Sequence, residues 1–147
     1  MNQTSPIQKL AWVFAALFFV VFIITNIPAF NDAQGRNFGL FKIDPIDNIV
    51  HLLTVIIGAV AAWYSARFSR WFFLIFGLLY GLDAYVGLVM SRGLLDFSVF
   101  TRGSGSPDFS IVNIAINAPH VAIAAAMIFI GVILKSENKL PTRFGGA

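Results

Sequence analysis

Three stretches of this chain, residues 10–31, 48–66 and 109–134, contain no Asp, Glu, Lys or Arg, and a fourth, 71–91, is broken only by Asp83. A helix needs roughly 18–20 apolar residues to cross the hydrocarbon core of a bilayer, and each run meets or approaches that length. Backbone polar groups find no water at that depth, so each run must close its hydrogen bonds internally as a helix. The composition agrees, with 58% hydrophobic and 12% charged residues at a mean hydropathy of +0.80, where soluble domains carry about 25% charge. Spans at about 10–30, 45–66, 71–91 and 113–134 use most of the 147 residues. The expected fold is therefore all-α, a single transmembrane domain built as an integral membrane four-helix bundle. The absence of cysteine excludes disulfides and thiolate sites. A dispersed net charge of +3 offers no basic run for nucleic acid.

A weak repeat runs through the chain. Ile43-Asp-Pro-Ile-Asp-Asn-Ile-Val-His51 returns as Val112-Asn-Ile-Ala-Ile-Asn-Ala-Pro-His120, matching Asp44 with Asn113, Asn48 with Asn117 and His51 with His120. Spacings of four and then three hold these polar groups on one helical face. Duplication of a helix hairpin is the simplest origin, and it predicts an up-down-up-down bundle whose two halves superpose.

Local signals place the boundaries. Asn26, Pro28 and Asn31 end the first span, which is too long for the apolar core of a signal peptide. Asp44-Pro45 is a good helix start. Arg67-Phe-Ser-Arg70 is expected to be the tight turn between spans two and three, and Arg102-Gly-Ser-Gly-Ser-Pro-Asp108, within the connection 91–108, an exposed loop. Pro119 should kink the fourth span or mark its later start. Lys9, Arg67, Arg70, Lys135, Lys139 and Arg143 fall on one side of the membrane, against Arg36, Lys42, Arg92 and Arg102 on the other. This excess predicts both termini inside, and the expected location is a bacterial inner membrane with both termini cytoplasmic. Trp12, Trp63 and Trp71 fit an aromatic belt near that inner face.

The polar residues within the spans are the candidate site. A carboxylate in a span costs about 2.5–3.5 kcal/mol on insertion scales unless partnered. Asp83 should therefore face inward, with His51, His120 and Arg92 as reasonable partners. Asn48, His51, Asp83, Asn117 and His120 are expected at similar depth as one polar cluster. His51 and His120 are also possible axial ligands of a haem or chlorin. Small residues, namely Gly58, Ala62, the Gly77-x-x-x-Gly81 pair, Ala122 and Ala126, are expected to pack helix against helix.

Three segments carry a family resemblance: Asp47-Asn-Ile-Val-His-Leu-Leu53, Phe73-Leu-Ile-Phe-Gly-Leu-Leu-Tyr80 and Asn117-Ala-Pro-His120. With them the chain resembles the small bacterial membrane proteins grouped as domain of unknown function 4383. The resemblance implies four helices with an Asn-x-x-His entry and carries no activity. The chain departs from it at Asp83 and Pro119, where apolar residues are implied. No nucleophile–base pair or metal-ligand spacing is present, so no catalytic residue, metal or enzyme is expected. The leading reading is a non-enzymatic accessory or scaffold subunit of a larger membrane complex, with the lipid bilayer and other membrane subunits as partners and no cofactor. One alternative is a haem- or chlorin-binding redox or pigment subunit using His51 and His120. The other is a proton or ion pathway centred on Asp83.

Overall fold

Ser65 alone separates the two central helices. It stands in extended conformation after α2, Pro45–Tyr64, and its hydroxyl accepts the Phe68 N–H at 3.1 Å to cap α3, Ala66–Met90. Arg67 and Arg70, expected in the turn, thus form the first turns of α3. Nothing in Arg-Phe-Ser-Arg breaks a helix, so the helix begins as soon as a cap permits. The computed structural model describes residues 4–43 and 45–134; Asp44 and the tail bearing Lys135, Lys139 and Arg143 lie outside them.

The other elements also start on capping residues. α1, Pro6–Thr25, opens with a capping box in which Ser5 and Gln8 satisfy each other's backbone N–H, with Pro6 in the first turn. It stops at Thr25, before the expected Phe30, because Pro28 opens a separate 3-10 turn, Pro28–Phe30. α4 is the short Ser98–Thr101. α5, Ile111–Ile133, is capped by Ser110 and runs through Pro119, which leaves the Ala115 carbonyl without its i+4 donor.

α1, α2, α3 and α5 are long and apolar enough to cross a membrane, and the all-helical chain is an integral membrane protein with a four-helix architecture. α1 pairs with α2, and α3 with α5. α3 joins the pairs by also packing on α2 and α1. Lipid tails are as apolar as the helices, so close packing rather than water exclusion drives these contacts. Gly58 receives the Phe72 ring and Ala15, with Ala62 buried one turn further on. Gly77 admits Met127 and the Ile128 backbone, and Gly81 faces Ala124. On α5 the packing stripe is Asn117, Ala124, Met127 and Gly131. Ala122 and Ala126, expected in it, are exposed instead, because the helix is rotated to seat Asn117 against Gly87.

The two ends of the bundle differ. At the end holding Ser65, polar side chains bind the helix termini: Gln8 donates to the Ala62 carbonyl at 2.9 Å, Ser69 to Ala61 at 2.9 Å, and Arg70 to Gly131 at 2.8 Å. These bonds reach carbonyls in the last turns of α2 and α5, where helical partners run out, and at Ala61 the Ser69 hydroxyl adds to the Ser65 backbone N–H. At the other end the two long connections, residues 26–43 and 91–110, surround a hollow.

Candidate functional site at the loop end of the bundle

The hollow is organised by Asp83, about two turns before α3 ends. Ser91 adopts a left-handed conformation at φ 50° and turns the chain back along α3. The backbone N–H groups of Leu94 and Leu95 then reach one oxygen of Asp83, at 2.7 and 2.8 Å. Leu95 packs against the hydrophobic core. Irregular backbone at such depth persists only where protein groups satisfy it, and Asp83 does so here. The segment is further locked by Ser98, whose hydroxyl accepts the Gly93 N–H at 2.8 Å, while Asp96 accepts the Ser98 N–H at 2.8 Å. Its first half is therefore a folded-back strap, whereas residues 102–108, expected to be an exposed loop, are mostly exposed.

The second oxygen of Asp83 lies 2.6 Å from Nδ1 of His120. With Asp83 as a carboxylate, which only accepts, the imidazole donates from Nδ1 and keeps Nε2 for another partner. Of the three partners considered for Asp83, the fold selects His120 and adds two backbone amides that the sequence did not announce. Asn117 shares the α3–α5 contact, its amide donating to the Asn113 carbonyl at 2.9 Å, while Asn113 donates to the Gly87 carbonyl at 3.1 Å.

Of the remaining two cluster members, one lines the hollow without joining the bonded pair and one stands apart. His51 is buried and lines the same hollow, but its Nδ1 has no partner among the described residues. Asn48 is elsewhere, accepting from the Thr25 hydroxyl at 2.8 Å and donating to Asn26 at 3.3 Å, so it ties α2 to the end of α1. Between the helix pairs runs a series of ring contacts: His51 with Phe18 at 6.5 Å, Phe18 stacked on Tyr80 at 5.3 Å, and Tyr80 edge-on to His120 at 5.3 Å. The Tyr80 hydroxyl is 3.0 Å from that of Thr54. Thr54 already donates to the Val50 carbonyl at 2.8 Å, which makes Tyr80 the donor. Neither Tyr80 nor Thr54 is a conspicuous signal in sequence; the one hint was two hydroxyls inside otherwise apolar runs.

Above this layer lies an open cavity of about 510 Å³. Phe18, Val21 and Ile24 of α1 face Ile116, Pro119 and Ile123 of α5 across it, in the space where the two helix pairs do not pack. His51, Asp83, Asn117 and His120 are among its polar groups, with others from the connections at its mouth. The size falls within the range of small-molecule sites, which are mostly apolar with a few placed polar groups.

Fold and site together define a four-helix integral membrane protein with one tied end and one hollow end. Residues 8–133 match the family described as domain of unknown function (DUF4383), and the chain belongs to that family. No curated protein and no solved structure matches it.

Proposed function

We propose that this is a non-enzymatic binding protein of the membrane, whose loop-end cavity takes the apolar part of an amphiphile from the surrounding bilayer. The carrying observation is the cavity of about 510 Å³, walled by aliphatic side chains of α1 and α5 and edged by the Asp83–His120 pair. An apolar volume inside a membrane bundle is readily filled by lipid-like chains, and the polar edge gives a headgroup or ring oxygen its hydrogen bonds. The excess of Lys and Arg at the opposite end supports placing the cavity in the outer leaflet. Protease added to inside-out vesicles should then cut near Lys139 and Arg143.

The test is lipid analysis of the protein purified in mild detergent. Ile116 lines the cavity and is 37% exposed, so Ile116→Trp fills the space without touching the core. The wild type should retain an amphiphile stoichiometrically and the variant should not, at unchanged thermal stability. Equal lipid content in the two would remove this reading. Stoichiometric recovery of another membrane subunit with an empty cavity would favour the accessory role instead.

A tetrapyrrole held by His51 and His120 is a second reading, favoured by one observation. Asp83 fixes Nδ1 of His120 as carboxylates fix metal-ligating imidazoles, and Nδ1 of His51 has no partner among the described residues. A Soret or chlorin absorbance band in the purified protein decides for it.

A further inference from the structure

The mouth of the cavity continues into a second recess of about 210 Å³, and the two share Lys42, Ser91, Arg92, Gly93 and Asp96. Arg102 completes its wall. Three cations thus face one carboxylate, Asp96, while Asp47 and Asp83 line the larger cavity alone. Among the described residues none of Lys42, Arg92 and Arg102 makes an ion pair; the Lys or Arg ion pair there is Arg36 with Asp32. Arg92 donates from Nη1 to the Ser91 carbonyl at 3.0 Å, but its buried Nε has no partner among the described residues. A buried guanidinium nitrogen left unpaired is costly, and the planar fork suits phosphate and carboxylate oxygens. The recess also sits just past the end of α3, at the level where a bilayer places its headgroups.

We propose that Lys42, Arg92 and Arg102 hold the phosphate or carboxylate of an anionic amphiphile whose apolar chain occupies the larger cavity. This rests on the cavity reading above and adds the charge of the headgroup. Apolar volume and cationic recess share a wall, so one molecule reaches both. Basic pockets at the ends of membrane helices recognise anionic lipid headgroups by the same electrostatics.

The test is native mass spectrometry of the full-length protein, with phosphatidylglycerol and phosphatidylcholine of identical acyl chains in competition, and inorganic phosphate as a third probe. The wild type should retain phosphatidylglycerol over phosphatidylcholine by at least about tenfold, given the attraction of several surface cations for one anion. Lys42→Gln with Arg102→Gln changes two exposed side chains, and Arg92→Gln removes the buried fork. Each should reduce the preference while both lipids still bind. Equal retention of the two lipids by the wild type would overturn the headgroup assignment and leave the cavity reading standing. Retention of neither lipid would overturn both. Binding of inorganic phosphate that leaves lipid retention unchanged would also overturn it, by placing a free anion in the recess.

Discussion

Asp83 of α3 and His120 of α5 are joined at 2.6 Å through one carboxylate oxygen, while the other oxygen binds the Leu94 and Leu95 amides of the strap. A single side chain thereby fixes a helix pair and a connection at once. We predict that Asp83→Asn is tolerated better than Asp83→Leu. The amide keeps one acceptor oxygen for the strap, whereas leucine leaves two buried N–H groups unpaired, at about 1–3 kcal/mol each. Thermal unfolding in detergent should rank wild type, Asn and Leu in that order; equal melting temperatures for the two variants would refute the anchoring role.

The Tyr80–Thr54 contact predicts an asymmetry. Tyr80→Phe removes a donor whose loss leaves the Thr54 hydroxyl still bonded to Val50. It should cost about 0.6 kcal/mol, as interhelical hydrogen bonds in membranes do. Thr54→Val strands a buried phenol and should cost more, about 1–3 kcal/mol. The reverse order in unfolding measurements would show that Thr54 is the donor.

Two glycines of one motif should respond differently to alanine. A Cβ on Gly77 would lie 2.8 Å from Ile128 Cγ1 and 3.0 Å from its backbone nitrogen, whereas on Gly81 it would meet Ala124 Cβ at 3.4 Å. We expect Gly77→Ala to force α3 and α5 apart at about 1–3 kcal/mol and Gly81→Ala to be nearly neutral. Matching losses at both positions would contradict the close approach at Gly77.

Asp32 carries a pH dependence in the connection between α1 and α2. The Arg36 backbone N–H is the largest influence and, with the Arg36 guanidinium and the Gln34 amide, holds its carboxyl below the usual value of 3.8 in spite of the opposing effect of desolvation. A depressed folded-state pKa means that the order it contributes is complete above the unfolded value and is lost as pH falls through the folded one. Amide exchange at Gln34 and Arg36 should therefore quicken, beyond its intrinsic pH dependence, as the medium is taken below about pH 3.8. In Asp32→Asn that extra step should be missing, and its persistence there would assign it to another group.

The spans were legible because charge-free runs of this length have one solution in a bilayer. Boundaries were less so. The arginines at 67 and 70 look like a surface turn, yet the deciding residue is the serine before them, whose hydroxyl caps a helix that the arginines merely continue. Asp83 announced itself by its cost, and His120 was among the partners its depth allowed. Its other partners are amides of Leu94 and Leu95, which carry no side-chain signature and arrive only because Ser91 reverses the chain. Asn48 shares a helical face with His51 but is claimed by Thr25 and Asn26 of a neighbouring helix, a competition that periodicity along α2 does not contain. Ala122 and Ala126 were chosen by size, whereas the rotation of α5 is set by Asn117 fitting over Gly87. The matching histidines likewise part company: His120 meets an aspartate on α3, while α1, the partner of α2, offers no acidic residue.

The single-residue joint at Ser65 has a mechanical consequence. Helices α2 and α3 meet at one extended residue, and side chains from α1 and α3 clasp carbonyls of α2 and α5 around it. Such a molecule is a pair of tongs: its limbs are fixed at the hinge, and leverage grows with distance from it. A guest entering between the jaws should spread α1 and α2 from α5 most at their far tips while the hinge stays still. Spin labels placed on α2 and α5 near their loop-end termini should register the opening, and a matched pair beside Ser65 should not.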